Sequence, residues 1–580
     1  MKSVVPDIAL DVLLRQAIQH HQQGKCQQAE VFYRRILQRQ PQHAEALHGL
    51  GLLAGQVGHY ALAVTLIQQA IASHDSVPQF HNNLGIMLMR QGHLVAAATA
   101  YRQALQLRWH VPEVYHNLGL VLQEQGQLAE ARTAYEAAVA LRPDYVETHN
   151  NLGILLKELG DLDAALSHCE VVRRLQPTWP EAHYNLGTVL QARGEHAAAI
   201  AAYRATLQLQ PEHVEARINL GTALKDLGCL AAAAESYTAA LLLRPADADA
   251  HCNRAFVWLA QGKLAPGWEA YAWRWQTTQQ YPRPFLQPCW VGTSLAERTL
   301  LVHAEQGVGD ELLFASCLPE VVAQARHCVI ECDPRLAALF ARSFPTATVH
   351  GGRRNDLRWL AQQPPIDVQS PLGSLPRYVR PALAYFPPHG GYLLPAPECR
   401  ALWRQRLAAL GPGLTVGLSW RSRVSRSGSP YYTGLQQWEE LLRLPGIHWV
   451  NLQYDNSMSE LMAAQQRWGI TIHTWEDLDV FHDLDGVAAL MSELDLVIAH
   501  ETMMAVLAAS LGQPVWRLSI CTRDWDALGT DMLPWFPSMR LFRQPRPGDW
   551  QSVMQRVATE LARFMAQHNG RTRRKVYDSQ

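Results

Sequence analysis

Apolar residues recur three or four positions apart through the first 275 residues, in short stretches broken by glycine. One such stretch is Asn151-Leu-Gly-Ile-Leu-Leu-Lys-Glu-Leu-Gly160, and the same spacing resumes from Leu162 to Leu175. This spacing is that of one apolar face on an α-helix. Because glycine tolerates positive φ and ends helices, the pattern predicts pairs of helices joined by tight turns.

The helix pairs repeat with a period of 34 residues. A second glycine, an alanine and an aromatic residue keep the same phase as the turn glycine. The turn glycines are Gly24, Gly58, Gly92, Gly126, Gly160, Gly194, Gly228 and Gly262. A fixed period of this length predicts an α-solenoid of stacked helix pairs. The pattern resembles the tetratricopeptide (TPR) repeat, with about eight units over residues 10–281. The resemblance implies a right-handed superhelix with the first helices on its concave wall.

An asparagine recurs at the same period in the first helix of six units. These residues are Asn83, Asn117, Asn151, Asn185, Asn219 and Asn253. Asparagine is a mediocre helix former, so helix propensity does not explain it. Two interpretations stay open: each amide hydrogen-bonds a neighbouring helix, or the amides form a ladder that binds a peptide backbone in the groove. The second gains support from protein O-GlcNAc transferase, whose repeats carry asparagines at this place.

Histidines lie beside the asparagines, about one in each unit. They are His81, His116, His149, His183 and His251. Residues one repeat apart are too far from each other to bind one metal ion. We expect polar residues of the wall rather than metal ligands.

The pattern changes after Trp275. Residues 282–298 are predicted to be a linker, and from Thr299 apolar runs alternate with helical stretches, which is typical of βαβ units. The predicted strands are Leu300–His303, Cys328–Cys332, Thr415–Trp420, His448–Leu452, Leu496–His500 and Pro514–Leu518.

These strands predict two α/β lobes, residues 299–400 and 412–567, followed by a basic, solvated tail at 568–580. The proline-dense stretch from Pro364 to Pro397 is expected to be an irregular link between the lobes. Two Rossmann-type lobes around a cleft form the GT-B architecture, with the ligand at the carboxyl ends of the strands.

One strand runs into the loop His303-Ala-Glu-Gln-Gly-Val-Gly-Asp310, which opens a helix. Gly-x-Gly at a helix start leaves backbone N–H groups free and lets a ligand approach closely. The loop is neither a dinucleotide fingerprint, which has a third glycine, nor a P-loop, which ends in Gly-Lys-Ser/Thr. The alternative is a tight strand-to-helix turn in which Asp310 is the N-cap.

Four segments resemble, in order, parts of bacterial TPR proteins that end in a heptosyltransferase-like glycosyltransferase domain. They are Glu305-Gln-Gly-Val-Gly-Asp310, Val416-Gly-Leu-Ser-Trp420-Arg-Ser, Leu494-Asp-Leu-Val-Ile498 and Leu507-Ala-Ala-Ser-Leu-Gly-Gln-Pro-Val-Trp516. The resemblance implies that Asp310 deprotonates an acceptor hydroxyl, with Glu305 as a neighbouring candidate. It also implies a nucleotide-sugar site that contains Gly307, Gly309, Trp420, Arg421, Glu501 and Thr502.

The chain departs from that family at two positions of the diphosphate site. Glu501 replaces an aspartate, and Val506 stands where heptosyltransferases have a histidine. Thr502 and the amides that follow it can still bind a diphosphate at a helix N-terminus. Arg421 can supply a phosphate ligand or form a surface ion pair, and both interpretations stay open.

Two acidic pairs resemble the metal-binding Asp-x-Asp of the other glycosyltransferase fold. They are Asp477-Leu-Asp479 and Asp483-Leu-Asp485. Asp485 precedes an apolar helical stretch, which favours an N-cap over a metal ligand. We therefore expect no catalytic metal and no cofactor, with a nucleotide sugar as substrate.

Composition excludes several classes of protein. With 51 basic and 52 acidic residues the net charge is −1, which argues against a general nucleic-acid binder. The chain has no run of 18 apolar residues, its start lacks the apolar core of a signal peptide, and its ten cysteines form no paired framework. We expect a cytoplasmic protein without a membrane span.

The resulting hypothesis is a glycosyltransferase that moves a sugar from a nucleotide sugar to an acceptor hydroxyl. The acceptor is expected on a protein or peptide held in the TPR groove. The alternative is a non-catalytic TPR scaffold for protein interactions, with a degenerate transferase domain.

Overall fold

The structure is a computed structural model that describes residues 8–108, 110–277, 283–352, 356–388, 391–422, 432–520, 524–546 and 548–577. The chain divides into two compact units, residues 1–223 and 224–580. The division falls within the repeats, so that the last helix pair belongs to the second unit. The start of the predicted linker, residue 282, lies outside the described residues. For the predicted basic tail the structure describes only helical backbone, up to Tyr577.

Sixteen α-helices occupy residues 8–271 within the described part of the chain. They are α1 (Ile8–Gln22), α2 (Cys26–Arg39), α3 (Ala44–Gln56), α4 (Tyr60–Ser73), α5 (Pro78–Arg90), α6 (Leu94–Leu107), α7 (Pro112–Glu124), α8 (Leu128–Leu141), α9 (Val146–Glu158), α10 (Leu162–Leu175), α11 (Pro180–Ala192), α12 (His196–Leu209), α13 (Val214–Asp226), α14 (Leu230–Leu243), α15 (Ala248–Ala260) and α16 (Leu264–Tyr271). A 3₁₀ turn continues α16 from Ala272 to Gln276. The eight helix pairs confirm the predicted solenoid.

Glycine has two roles in the helix pairs. All eight turn glycines have positive φ, between 73° and 84°, as predicted. At Gly85, Gly119 and Gly187 the second glycine makes room for a tyrosine of the partner helix, whereas Gly51 and Gly153 lie against Ile67 and Cys169. At Gly119 a Cβ atom would lie 2.5 Å from the ring of Tyr135, which is fully buried. The 34-residue phase therefore reflects one packing contact repeated along the solenoid.

Histidines two positions before the asparagines stabilise the turn between units. The Nε2 atoms of His149, His183 and His251 donate to the carbonyl oxygens of Pro143, Pro177 and Pro245 at 2.9–3.0 Å. His81 makes the same contact, at 2.9 Å, with the carbonyl of Asp75. These side chains therefore bind the backbone entering each first helix.

Four of the repeating asparagines donate an amide hydrogen bond to the first helix of the preceding unit, 35 positions earlier. The pairs are Asn83 to His48 (2.8 Å), Asn117 to Asn82 (3.4 Å), Asn185 to Asn150 (2.7 Å) and Asn219 to Tyr184 (3.2 Å). Asn151 and Asn253 make no side-chain hydrogen bond within the described residues. The interpretation as contacts between helices is thus supported for four amides. Peptide binding by the same side chains stays a prediction.

The second unit contains two sheets in which every neighbouring pair of strands is parallel. The strands are β1 (Thr299–His303), β2 (His327–Cys332), β3 (Thr348–Gly351), β4 (Val368–Pro371), β5 (Leu414–Ser419), β6 (Ile447–Asn451), β7 (Ile472–His473), β8 (Leu496–His500), β9 (Val515–Ser519) and β10 (Met539–Arg543). One sheet has the order β3-β2-β1-β4, and the other has the order β10-β9-β8-β5-β6-β7.

Ten α-helices accompany these strands in the part of the second unit that the structure describes. They are α17 (Val308–Ala315), α18 (Leu318–Gln324), α19 (Ala337–Ser343), α20 (Pro376–Val379), α21 (Pro397–Ala408), α22 (Glu439–Leu442), α23 (Met458–Trp468), α24 (Leu484–Met491), α25 (Met503–Ser510) and α26 (Trp550–Tyr577). Apolar side chains of the strands, such as Leu300, Val497 and Val515, are fully buried.

The six predicted strands are all present, within one residue at either end, but the proline-dense stretch is not an irregular link. It contains β4, which pairs in parallel with β1 and places Val368 opposite Leu300. Pro371 is the last residue of this strand, which lies at the edge of the sheet, where proline is tolerated. The predicted linker also pairs with β4, because the Trp290 N–H donates to the Gln369 carbonyl at 2.7 Å.

The acidic pair before α24 differs from the prediction. Asp483, not Asp485, is the N-cap, and its carboxylate accepts from the Gly486 N–H at 2.9 Å. Asp485 instead accepts hydrogen bonds from both terminal nitrogens of Arg342, at 2.9 and 2.7 Å. The helix begins two residues earlier than the apolar pattern indicates, because Leu484 already belongs to the buried face.

We expect Asn185→Ala to lower the free energy of unfolding by about 1 kcal/mol more than Asn151→Ala does. The two residues occupy the same place in neighbouring units, so the gain in helix propensity cancels in the comparison. Only Asn185 loses a hydrogen bond to the preceding unit. Urea denaturation of both variants measures the difference, and equal effects would show that these bonds do not stabilise the solenoid.

Candidate functional site

A cleft of about 460 Å³ lies at the carboxyl ends of strands from both sheets. The segment Gly307–Asp310 follows β1 and forms one side, and the segment Glu501–Met503 follows β8 and forms the other. Ser422 and Tyr454, which follow β5 and β6, also line it. Open parallel sheets bind ligands at this edge because the strand-to-helix loops meet there.

The glycine loop runs from β1 into α17. Gln306 has a φ of 59°, in the left-handed region, and Gly307 is the N-cap of α17. A Cβ atom at Gly309 would lie 3.6 Å from the Cα atom of Met503, so the loop packs against the start of α25. The two predicted glycines therefore lie together in the cleft, facing a second helix N-terminus.

Asp310 is the third residue of α17 and lines the cleft. Its carboxylate accepts a hydrogen bond from the Gly307 N–H at 3.3 Å, so Asp310 is not itself the N-cap. Burial raises the pKa of this carboxyl, and the negative charge of Glu305 adds to the effect. A carboxylate with a raised pKa is a stronger base than an ordinary aspartate.

Thr502 lies on the opposite side, immediately before α25. It is 7% exposed, and its hydroxyl has no hydrogen-bond partner within the described part of the chain. The first N–H groups of a helix have no intrahelical acceptor, and the helix dipole favours negative charge there. Val506 lines the cleft one turn further on and offers no donor.

A buried arginine with three carboxylates forms the floor beside Thr502. Arg517 of β9 is 2% exposed and lies 2.5 Å from Asp526, 2.7 Å from Glu501 and 3.3 Å from Asp524. Burial and the neighbouring Glu501 raise the pKa of Asp524 to about 8, so this carboxyl is largely protonated at neutral pH. Desolvation of the carboxyl group raises the pKa of Glu501 too, more than the charge of Arg517 lowers it. Half of the Glu501 side chain is nevertheless open to the cleft.

Three predicted site residues do not line the cleft. Glu305 is 3% exposed and bound to Arg274 through both carboxylate oxygens. The Trp420 indole is buried and donates to Glu460 at 2.8 Å. Arg421 donates to Asp455 and Glu460 at 2.6 Å each, which is the ion pair that the alternative interpretation predicts.

Arg517, Asp526, Tyr454 and Trp525 also line the cleft, although the sequence reasoning did not identify them. One signal was available: Arg517 is the only charged residue of the apolar strand β9, and a buried charge requires a partner. Asp524 and Asp526 follow soon after that strand. The aromatic residues carry no such signal because buried aromatic side chains are common in any core.

The cleft holds few cations for an anionic ligand. Arg335 and Arg517 are the arginines that line it within the described residues, and each is already paired with carboxylates. A bound anion would therefore depend on the amide groups and hydroxyl at the start of α25. The described residues contain no group of three histidine, cysteine, aspartate or glutamate side chains arranged to hold a metal ion.

Comparison with known proteins identifies the repeats. The tetratricopeptide-repeat family matches residues 11–43, 48–112, 110–177, 180–213 and 214–247. Residues 11–247 are tetratricopeptide repeats. Repeats of this kind form extended surfaces for binding other proteins. Within the described residues no helix has the length and apolar character needed to cross a membrane.

Protein FlbA of Caulobacter vibrioides is 35% identical to this chain over 326 residues. The aligned region is 54% of this chain and 54% of FlbA, so the chain spans about half the length of that relative.

Two solved structures are similar to the repeats. YrrB, a TPR protein with an unusual peptide-binding site, is 21% identical over 32% of this chain and 95% of its own, with a TM-score of 0.30. PilF of Pseudomonas aeruginosa is 21% identical over 36% of this chain and 96% of its own, with a TM-score of 0.33.

We expect Asp524→Asn to become stabilising, relative to the native protein, as the pH rises from 5.5 to 8.5. The folded protein holds the Asp524 proton up to a pKa of about 8, whereas the unfolded chain releases it near 3.8. Stability from this group is present at low pH and is lost as the pH rises through the folded pKa. The asparagine amide resembles the protonated carboxyl at every pH, so the Asp524→Asn variant does not lose this stability as the pH rises.

Urea midpoints at the two pH values measure this effect, with Asp477→Asn as the control. Hydrogen bonds from Arg406 hold the pKa of Asp477 below its ordinary value, so that it stays ionised at both pH values. The difference between the control variant and the native protein should therefore be constant. A constant difference for Asp524→Asn as well would contradict the raised pKa.

Proposed function

We propose that the second unit is a GT-B-type glycosyltransferase that moves a sugar from a nucleotide sugar to a hydroxyl group. The observation that carries the proposal is the pairing of a basic carboxylate, Asp310, with an unpartnered hydroxyl at a helix N-terminus, Thr502, in one cleft. The Asp310 carboxylate can abstract a proton, and the Thr502 hydroxyl can donate a hydrogen bond to a diphosphate.

The glycine loop supports a ligand at this place. Gly307 has a φ of −96°, so its backbone conformation does not require glycine. A Cβ atom there would meet only the Asp310 carboxylate, at 3.6 Å. Since neither conformation nor packing accounts for the missing side chain, the open space suits the close approach of a ligand to the backbone.

In the proposed reaction the acceptor oxygen attacks the anomeric carbon of the sugar. The bond from that carbon to the diphosphate oxygen breaks, and the nucleoside diphosphate leaves with the electron pair. Asp310 takes the proton of the acceptor hydroxyl. The amides at the start of α25 and the Thr502 hydroxyl would stabilise the charge that develops on the leaving group. This arrangement needs no covalent intermediate.

The acceptor is proposed to be a protein held by the repeats. The amide NH₂ groups of Asn117, Asn185 and Asn219 bind the preceding unit, but their carbonyl oxygens accept no hydrogen bond from the described residues. These oxygens and the amides of Asn151 and Asn253 offer the hydrogen-bonding complement of a peptide unit. Such contacts would hold an extended chain without reading its side chains.

A non-catalytic scaffold is the alternative, and two observations favour it. Val506 supplies no hydrogen-bond donor, and the arginines of the cleft are already paired. Under this alternative the repeats bind a protein and the cleft binds no nucleotide sugar.

A panel of nucleotide sugars, tested for thermal stabilisation of the full chain, distinguishes the two functions. We expect one donor to raise the melting temperature and to be consumed when an acceptor protein is present. Asp310→Asn should keep the stabilisation yet lower the rate of transfer by roughly 100-fold or more. The amide oxygen can still accept from the Gly307 N–H, so that the loop should remain folded.

Asp483→Asn is the matched control, because it changes an aspartate at the start of another helix without touching the cleft. Its rate of transfer should equal that of the native protein. Unchanged transfer by Asp310→Asn would exclude the proposed base, and the absence of stabilisation by any donor would favour the scaffold.

Changing Asn151, Asn185 and Asn219 together to alanine should weaken binding of the acceptor protein by roughly 2–4 kcal/mol, because each hydrogen bond contributes about 1 kcal/mol. In a transfer assay we expect a higher KM for the acceptor and an unchanged KM for the nucleotide sugar. If the triple variant and the native protein have the same KM for the acceptor, these asparagines do not bind the peptide.

A further inference from the structure

The end of the last helix pair contacts the glycine loop through a buried ion pair. Arg274, in the 3₁₀ turn after α16, is 4% exposed. Its Nε and Nη2 atoms donate to the two carboxylate oxygens of Glu305 at 2.8 Å each. A bidentate pair of this kind fixes both orientation and distance. Glu305 is two residues before Gly307, so the ion pair holds the loop where it leaves β1.

A second contact holds the next residue of the loop. The Gln306 side chain donates from Nε2 to the hydroxyl of Tyr271, the last residue of α16, at 2.7 Å. Gln306 has a φ of 59°, a conformation that residues other than glycine adopt only when their surroundings impose it. The Tyr271 hydroxyl is therefore placed to maintain the strained turn.

The third support comes from the turn after β4. The Gly373 N–H donates to Glu305 at 2.5 Å, and the Ser374 hydroxyl accepts from Arg274 at 2.9 Å. A Cβ atom at residue 373 would lie 2.6 Å from the Glu305 carboxylate, so only glycine fits there. Glu305 is thus fixed from two directions, with one partner in the 3₁₀ turn after α16 and one in the turn after β4.

We propose that Tyr271 and Arg274 are positioning residues that set the conformation of the Gly307–Asp310 segment in the cleft. They act through Gln306 and Glu305 and do not line the cleft themselves. The catalytic role of this segment rests on the proposed transferase function. The claim that the two residues set its conformation does not. The last helix pair is then part of the candidate active site, and separating the chain at the predicted linker would remove both residues from the second unit.

Tyr271 also packs its ring against Phe314 and Trp525, with centroids 6.2 and 6.4 Å apart. A purely structural role in this aromatic cluster is the competing explanation. Tyr271→Phe separates the two roles, because it keeps the ring and removes only the acceptor of the Gln306 hydrogen bond.

Hydrogen exchange of the full-length protein, followed by mass spectrometry, tests the positioning role. In Tyr271→Phe we expect the amides of residues 304–315 to exchange about five-fold faster, the change that one lost hydrogen bond produces. The control is Tyr203→Phe, which also removes one tyrosine–glutamine hydrogen bond, from Tyr203 to Gln191 at 2.8 Å. It should leave exchange of residues 304–315 unchanged. Unchanged exchange in both variants would overturn the proposal.

The double variant Arg274→Met/Glu305→Met extends the test to the ion pair. It removes both charges, so no unpaired charge is left buried. Exchange of residues 304–315 should rise further than in Tyr271→Phe, and exchange that matches the native protein would exclude the ion pair as a support.

The kinetics of sugar transfer by the Tyr271→Phe variant are a separate measurement. We expect a lower kcat with an unchanged KM for the protein acceptor, because the loop carries Asp310 and not the repeat groove. Faster exchange in a protein that uses no nucleotide sugar would uphold the positioning role and reject the transferase. An unchanged kcat in an active enzyme with a faster-exchanging loop would show that the loop conformation does not matter to the reaction.

Discussion

The ion pair between Arg274 and Glu305 is the contact on which the candidate site depends. It joins the end of the repeats, the loop after β1 and the turn after β4 at one buried carboxylate. An unpaired charge at this depth would be strongly unfavourable, so the ion pair favours the packing in which these three elements are in contact. The position of Asp310 in the cleft is a consequence of this packing, and the repeats contribute to it directly.

Charge balance sets what the cleft can bind. Arg517 is shared by three carboxylates, and one of them, Asp524, keeps its proton at neutral pH because burial opposes a further negative charge. The guanidinium groups are therefore already neutralised. Among the described residues, an anionic ligand would rely on backbone amides and the Thr502 hydroxyl, which form a weaker site than free arginines would. With so weak an anion site, the protein is either a transferase with modest affinity for its nucleotide sugar or a scaffold that binds none.

The sequence was most informative where local chemistry decides the structure. The turn glycines have the positive φ that their 34-residue phase predicts, and each apolar run became a strand. It was least informative where the role of a residue depends on a partner distant in the chain. Glu305 is a carboxylate in a glycine loop, and only the fold shows that Arg274 occupies it. Arg421 is likewise paired with acids more than 30 residues away.

A crystal structure of the protein soaked with the nucleoside diphosphate of its stabilising donor tests the central claim most directly. The account predicts a diphosphate between the Gly307–Asp310 segment and the start of α25, within hydrogen-bond distance of the Thr502 hydroxyl. A nucleotide bound elsewhere, or a cleft that stays empty at saturating concentration, would contradict it.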